Sequence, residues 1–448
     1  MALAGRCTNL VFMKQFQLPA QHPQRTLLHN EIHARPAELM QAPLAITHMV
    51  MLTNAAERAA SRAHVCRLLR EHHLPQPDEN STHVFTDVGP FHLRWEQHTE
   101  FVAWTFSAPI EEHARSEHLV PPTALESVPH QWLAQLPGQG LSNLHLWVFN
   151  EKQVDANAMQ RRLLQDETLV GSAVSGGAGK VYTDFAIHAD GFSRMLLLAT
   201  AQLTPRRLGR LVQRLLEIET YRMAALLGLP AARQAAQVLA SAERELAELA
   251  LAIREADQDN EAELLDRLTR LAGQVESEYA GTHSRFSASS AYFELVDKRI
   301  QDIQEIRLNG LQTIGEFMDR RLSPAKATCE WATRRQNALS ERVSRVSSLL
   351  RTRVEIAQQQ SSQQLLGTMT KRQGLQLQLQ STVEGLSVAA ITYYIAGLIS
   401  YLAKGAQKLG WPLSPESTAA LAIPLIALAI WWSLRRMHQR LFHGKNSH

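Results

Sequence analysis

Residues 385–403 read GLSVAAITYYIAGLISYLA, a run of 19 residues without a charged side chain. A second uncharged run, TAALAIPLIALAIWWSL, occupies residues 418–434. A helix needs about 20 predominantly apolar residues to cross the hydrocarbon of a bilayer, and about 17 is the lower limit. The two runs therefore predict transmembrane helices at 384–403 and 418–434, joined by a short loop at 404–417. Two buried helices of a soluble core are the alternative.

The basic residues near this hairpin indicate its orientation. Those outside it are Lys371, Arg372, Arg435, Arg436, Arg440 and Lys445. The loop contains Lys404 and Lys408 together with Glu416. Because cytoplasmic flanks carry the excess of Lys and Arg, both termini are predicted to be cytoplasmic, with a basic cytoplasmic tail at 435–448. The expected location is the bacterial inner membrane, and the lipid bilayer is the first expected partner.

Residues 229–383 are predicted to form a helical, coiled-coil-like stalk. No proline occurs between Pro324 and Pro412. Apolar residues recur three and four apart, as in the series Leu339, Val343, Val346 and Leu350. The same spacing continues less regularly through Leu379 and predicts helices at 231–256, 261–280 and 285–322, followed by a long helix that enters the membrane. A seam of this length is typical of self-association, so a homo-oligomer is expected. An intramolecular bundle is the open alternative.

Residues 21–228, which follow an N-terminal tail at 1–20, predict an α+β domain with a mixed or antiparallel sheet. The segments LAITHMVML, STHVFTDV, FHLRWEQH, EFVAWTFSA and NLHLWVFN read as strands, several with alternating polarity. Helices are predicted at 54–73 and 205–227. The glycine-rich SGGAG at 175–179 predicts a hairpin turn. A phosphate-binding loop would need glycine at 174 and Ser or Thr at 181, and both positions are valine.

Composition excludes several classes of protein. The chain has 448 residues, 45% of them hydrophobic, and a net charge of +3, which is too small for a dedicated nucleic-acid binder. Cys7, Cys66 and Cys329 are too far apart for a disulfide framework or a zinc-ligand spacing. The first 20 residues lack the apolar core of a secretion signal, so the soluble part is expected in the cytosol.

The segment HPQRTLLHNEIHARP, residues 22–36, is dense in polar side chains. His29 and His33 are four residues apart, but the zinc-protease signature needs glutamate directly after the first histidine, where Asn30 stands. A metal site at His29 and His33 is one hypothesis, and a structural loop held by a pair such as Glu31 with Arg35 is the alternative. No pattern identifies a cofactor or a catalytic set, which favours a protein that is not an enzyme.

Four segments together resemble a known family: HPQRTLLHNEIHARP, RWEQHTEFVAWTF, GGAGKVYTDFAIHADGFSRML and the terminal hairpin. They resemble the bacterial membrane-anchored proteins grouped as the domain of unknown function 3422 family, over about residues 18–434. The resemblance implies a Gram-negative inner-membrane protein with no established activity. The family-motif candidates for binding are His22, Arg25, Asn30, Glu31, His33, Arg35, His98 and Glu100.

The order of the parts also resembles that of CorA-type cation transporters, in which the first spans line a pore. That family's Gly-Met-Asn signature is absent, and KLGWPLSPE stands in its place at 408–416. Lys404 and Lys408 at the mouth would repel cations. The pore candidates are Ser387, Thr392, Tyr393, Ser400 and Glu416.

The sequence is therefore consistent with three functions. The first is a self-associating, membrane-anchored protein with a scaffold, assembly or ligand-sensing role, whose cytosolic domain binds a cation or a protein partner. The alternative is an oligomeric ion channel or transporter lined by the first transmembrane helix. The third is an enzyme that uses the histidines of residues 22–36.

Overall fold

The computed structural model of the protein describes residues 20–25, 28–29, 37–79, 81–111, 120–255, 260–407, 412 and 414–443. The chain divides into two compact units. The first contains residues 1–250 and 267–345, and the second contains residues 251–266 and 346–448. Position 228, the predicted end of the α+β domain, lies inside the first unit.

The first unit is built on a mixed sheet. Its strands are β1 Leu44–Leu52, β2 His83–Asp87, β3 His92–Gln97, β4 Phe101–Pro109, β5 Gln139–Asn150, β6 Val170–Val174, β7 Gly179–Thr183, β8 Ser193–Ala199 and β9 Ile306–Arg307. Their order across the sheet is β2-β3-β4-β1-β5-β8-β7-β6-β9. Neighbouring strands are antiparallel except β5 and β8, which are parallel. The predicted α+β class with a mixed sheet is confirmed.

Four helices accompany the sheet: α1 Ala55–Glu71, α2 His130–Leu133, α3 Ala156–Leu163 and α4 Pro205–Leu226. Helix α1 begins at a capping box, in which Asn54 Oδ1 accepts from Glu57 N at 2.9 Å and Glu57 Oε2 accepts from Asn54 N at 2.8 Å. Such a box satisfies amide groups that the first turn of a helix leaves unpaired. Pro205 starts α4, where its missing amide hydrogen costs nothing.

The alternation of side chains along each strand produces two cores. Ile46 of β1 packs in the core that contains Leu211 and Leu215 of α4. Its neighbour Ala45 packs in the opposite core, with Leu68 of α1 and Trp104 of β4. Successive strand residues point to opposite faces of a sheet, so helices cover both faces.

Three longer helices begin in the C-terminal half of the chain and extend over both units, and one prediction about them is wrong. Helix α5 spans Gly228–Glu255, α6 spans Glu261–Asp302 and α7 spans Ile314–Gln407. The predicted helix at 285–322 is interrupted, because residues 303–313 leave the helix to form β9 at the sheet edge. Gly310 takes a left-handed turn with φ of 79°. Thr313 and Glu316 then cap α7 reciprocally, at 3.0 and 3.1 Å. This Thr-x-x-Glu pattern was readable in the sequence.

The second unit contains the distal part of α7 and the last helix, α8, at Pro415–His443. Near its start, Arg353 pairs with the buried carboxylate of Glu261 and donates to Ile253 O at 2.9 Å. Helices α7 and α8 both contain stretches that are long and apolar enough to cross a membrane.

Candidate functional site

A cavity of about 190 Å³ lies in the first unit between the sheet and α4. Strands β1, β3 and β4 supply one wall, α4 supplies the facing wall, and α6 contributes Arg299. The charged and titratable groups that line it are Glu38, His48, Arg94, Glu96, His98, Glu217 and Arg299, while Phe101, Val212 and Leu216 give it an apolar surface. A cavity with an apolar surface and a few converging polar groups is the usual form of a small-molecule site.

Arg94 lies between two carboxylates in this cavity. Its guanidinium is 2.9 Å from Glu96 Oε1 and 3.5 Å from Glu38 Oε1. All three side chains are at most 15% exposed. Burial raises the pKa of Glu38 above its usual value, although Arg94 opposes that shift. Burial also acts to lower the pKa of Arg94, but Glu96 and Glu38 outweigh it and hold that pKa above its usual value.

His48 lies at the floor of the cavity and is neutral. Burial lowers its pKa to about 4. Its Nε2 is 2.9 Å from Thr220 Oγ1, and its Nδ1 is 2.8 Å from Thr105 Oγ1. Because the Thr220 hydroxyl donates to Leu216 O at 2.9 Å, it accepts from His48, which assigns the proton to Nε2. Nδ1 then accepts from the hydroxyl of Thr105. Both ring nitrogens are hydrogen-bonded to threonine hydroxyls, so His48 is held in a fixed orientation at the floor of the cavity.

A second ion pair closes the side of the cavity next to α6. Arg299 Nε donates to Glu217 Oε2, and Gln213 Nε2 donates to Glu217 Oε1 at 3.0 Å. Arg299 also contacts Asp302 Oδ2 at 3.2 Å. The Glu217 carboxylate therefore has a donor on each oxygen, and Arg299 is neutralised within its own pair.

The chain reaches Glu38 by crossing α4 at a glycine. A Cβ atom added to Gly209 would lie 1.8 Å from Glu38 O and 2.9 Å from its carbonyl carbon. Only a residue without a side chain lets the backbone of residues 37–40 approach the helix this closely. Two residues after Glu38, Met40 N donates to Pro205 O at 3.1 Å. Gly209 thus positions the carboxylate of Glu38 in the cavity.

We expect Gly209→Ala to destabilise the first unit by about 1–3 kcal/mol, because the methyl group clashes with backbone and not with a flexible side-chain end. Gly273 of α6 is the matched control, since a Cβ there meets nothing within 4 Å. Gly273→Ala should raise stability by up to about 1 kcal/mol through helix propensity. Urea denaturation measures both changes. A Gly209→Ala protein at least as stable as the parent would contradict the close crossing.

The predicted motif residues of the β3–β4 hairpin have different positions. His98 lines the cavity and stacks on Phe101, with ring centroids 4.4 Å apart. Glu100 points to α6 instead, where it pairs with Arg285 and accepts from Tyr292 Oη at 3.1 Å. Burial, followed by the charge of Glu100, raises the pKa of Tyr292. Glu100 therefore ties the hairpin to the helical part of the first unit.

The other motif candidates are either exposed residues near the N-terminus or lie outside the described residues. His22, Arg25 and His29 are exposed, and His22 Nδ1 accepts from Gln24 N at 3.2 Å. Asn30, Glu31, His33 and Arg35 lie outside the described residues, as does the predicted Glu31–Arg35 pair. The part of the chain that the structure describes contains no cluster of three metal-ligating side chains, and His33 falls outside that search.

The segment of α7 that precedes the first apolar run is exposed on every side. All residues from Gln358 to Val383 are exposed, including Leu365 at 64%, Met369 at 63% and Leu379 at 67%. We call residues 358–383 the exposed stalk segment. Isolated helices are only marginally stable in water, and most helical stability in proteins comes from packing. The segment therefore lacks, within its own chain, the contacts that normally support such a helix.

The apolar ends of α7 and α8 are also largely exposed. Leu398 is 61% exposed and Leu425 is 71% exposed. Among the pore candidates, Thr392 is buried and Tyr393 is 78% exposed, while Ser400 is half-buried and Glu416 is exposed in the first turn of α8. The hydroxyls of Thr392 and Ser387 donate to carbonyls one turn earlier, at 2.7 and 2.8 Å. A pore role for these residues remains a prediction.

These features define a class of protein: a mixed α+β unit with a charged cavity, long helices in the C-terminal half, and two candidate membrane-spanning helices at the C-terminal end. The chain belongs to the family described as protein of unknown function (DUF3422), whose sequence profile matches residues 20–441. The predicted family is confirmed. No curated protein and no solved structure matches the chain. The likeness to CorA-type transporters accordingly has no support beyond the order of the parts.

Proposed function

We propose that the protein is a membrane-anchored, self-associating protein of the bacterial inner membrane, with the first unit and both termini in the cytoplasm. The observation that supports self-association most directly is the exposed stalk segment, residues 358–383, which precedes the first apolar run. A role in scaffolding or ligand sensing fits an anchored unit that contains a cavity.

The spacing of apolar residues on this segment suggests the interface. Leu365, Met369, Leu379, Val383 and Leu386 follow a four–three repeat, which is the pattern of a coiled-coil seam. Two intermediate seam positions hold Arg372 and Gln376. Polar residues at seam positions lower the stability of a coiled coil but specify its register. The proposed occupant of the seam is the same segment of a second copy, because membrane anchors would hold the copies parallel and side by side.

The test compares leucines that are equally exposed in one chain but lie on different sides of α7. Leu379 and Val383 are on the seam, while Leu377, 58% exposed, is not. Each buried apolar side chain contributes about 1.5 kcal/mol or more. The double variant Leu379→Gln/Val383→Gln should therefore weaken association roughly a hundredfold or more. Leu377→Gln should leave association unchanged.

The measurement is the subunit count of full-length protein in mild detergent, by native mass spectrometry over a range of concentrations. A wild-type protein that stays monomeric at every concentration would overturn the proposal. Equal effects of the seam and off-seam substitutions would overturn this choice of interface.

A further inference from the structure

The lining of the cavity between the sheet and α4 has one more carboxylate than guanidinium. Among the described residues that line it, the carboxylates are Glu38, Glu96 and Glu217 and the guanidiniums are Arg94 and Arg299, with His98 as a further basic side chain. His48 adds no charge, because burial keeps it neutral. An unbalanced charge in a buried site is costly unless a partner or a ligand compensates it.

The surplus charge can be assigned to Glu38. Glu217 is satisfied by Arg299 and Gln213, and Arg299 also contacts Asp302. Arg94 lies closer to Glu96, at 2.9 Å, than to Glu38, at 3.5 Å.

The partners of Glu38 are few for a carboxylate in this environment. Its side chain is 9% exposed, and Arg94 is its one polar partner within the described residues. An ionised carboxylate can accept about four hydrogen bonds, so Glu38 has unused capacity facing the cavity.

The other walls suit an organic cation better than an anion or a metal ion. Both guanidiniums among the described lining residues are already paired with carboxylates, which disfavours an anion. The described residues contain no group of three His, Cys, Asp or Glu side chains that could hold a metal ion. The aromatic rings of Phe101 and Tyr221 line the same cavity, and aromatic faces attract organic cations.

The volume limits the size of the ligand. A cavity of about 190 Å³ holds the volume of roughly six water molecules, at about 30 Å³ each. Sites for drug-sized ligands start at about 300 Å³. The cavity therefore fits one charged head group with a short apolar chain, and it is too small for a nucleotide.

We propose that this cavity binds a small organic cation, an ammonium or guanidinium group on a short alkyl chain, with Glu38 as its counter-ion. The head group donates to the Glu38 carboxylate, and the chain packs against Phe101, Val212 and Leu216. The proposal does not depend on self-association, because every residue that carries it belongs to the first unit of one chain.

The experiment uses full-length protein in mild detergent and four probes with the same chain: n-butylammonium, n-butylguanidinium, 1-butanol and butanoate. Binding is measured by thermal shift and by isothermal titration calorimetry. The two cations should raise the melting temperature and release heat that saturates, while the alcohol and the carboxylate should do neither. A charge-assisted hydrogen bond is worth about 1.5–3 kcal/mol, so Glu38→Gln should weaken cation binding about tenfold or more.

Two variants separate binding from folding. Glu38→Gln keeps the size of the side chain and removes a buried charge, so its melting temperature should equal or exceed that of the parent. Glu151→Gln is the matched control, since Glu151 pairs with Lys180 at 2.6 Å outside the cavity, and it should bind the cations normally. Absence of a shift with either cation, an equal shift with butanoate or 1-butanol, or unchanged cation affinity in Glu38→Gln would each overturn the proposal.

Discussion

Arg94→Met is expected to destabilise the first unit by about 3–5 kcal/mol, the usual cost of removing one partner of a buried ion pair. Methionine fills a similar volume, so the loss comes from charge. Glu96 and Glu38 would remain in the cavity wall and lose the guanidinium that both of them contact, at 15% and 9% exposure. Chemical denaturation followed by tryptophan fluorescence measures this loss, since Trp95 on β3 is fully buried in the native protein.

A second substitution tests whether unpaired charge is the reason why Arg94→Met is less stable. In Arg94→Met/Glu38→Gln one of the two stranded charges is gone, so the double variant should be more stable than Arg94→Met alone, by about 1 kcal/mol or more. Arg94→Lys keeps a positive charge but loses the planar fork that reaches two carboxylates, and it should fall between the parent and Arg94→Met. A double variant no more stable than Arg94→Met would show that packing, and not charge, is the reason.

The stability lost in Arg94→Met should be smaller at low pH than at neutral pH. Burial raises the pKa of Glu38 in the folded protein above its ordinary value of 4.5. Protonated Glu38 therefore stabilises the fold, and this contribution to the free energy of unfolding is fully present below pH 4.5 and is lost as the pH rises through the folded-state pKa. Removing Arg94 raises that pKa further, so the penalty of Arg94→Met should shrink as the pH is lowered. The charges of His92 and Glu96 also act on Glu38, the first lowering its pKa and the second raising it.

Acid also destabilises the parent protein through His48. The pKa of His48 is about 4 in the folded protein, against 6.5 as its ordinary value. The stability that comes from keeping this ring neutral is therefore fully present above pH 6.5 and is lost as the pH falls through 4. The effect is smaller in Arg94→Met, because the charge of Arg94 is one of the causes that lower the pKa of His48. The difference in stability between the two proteins is therefore the quantity that should decrease at low pH.

The strands and the apolar helices were predictable from local patterns. LAITHMVML and FVAWTFSAP became β1 and β4 because their composition and length suit a sheet covered on both faces. The two apolar runs stand out by length alone. The break in the predicted helix at 285–322 was missed because helical spacing continues through it, and the Thr313–Glu316 capping box was not weighed against that periodicity.

The cavity was not predictable because its parts come together only in the folded chain. Glu38 precedes β1, Arg94 lies on β3 and Arg299 lies near the end of α6, so no spacing in the sequence links them. Two weak signals existed. His48 is a polar residue inside the apolar strand β1, and Gly209 is a glycine inside an amphipathic helix. A polar residue in an apolar strand indicates a buried hydrogen bond, and a glycine within a helix indicates a close approach of another segment of the chain.

The double variant Leu398→Arg/Leu425→Arg should release the protein from the membrane fraction. Both leucines lie in the apolar runs and are 61% and 71% exposed. An arginine at the middle of a spanning helix, as at Leu425, costs about 2.5–3.5 kcal/mol on the insertion scale, and it costs less nearer an end, as at Leu398, so the two together cost roughly 4–6 kcal/mol. That is a change of about a thousandfold or more in the equilibrium between inserted and non-inserted chains. Carbonate extraction of membranes, followed by immunoblotting, measures the inserted fraction.

If the apolar runs of α7 and α8 were instead surface helices of a soluble protein, Leu398→Arg/Leu425→Arg would have little effect on the protein. A leucine that is more than half exposed to water can be replaced by arginine at little cost, and the change usually improves solubility. Leu377→Arg is the matched control, because Leu377 is 58% exposed on α7 but precedes the first apolar run. It should stay in the membrane like the parent. Full membrane retention of Leu398→Arg/Leu425→Arg would contradict the spanning assignment, whereas its loss beside a retained Leu377→Arg would place the hydrocarbon boundary between residues 377 and 398.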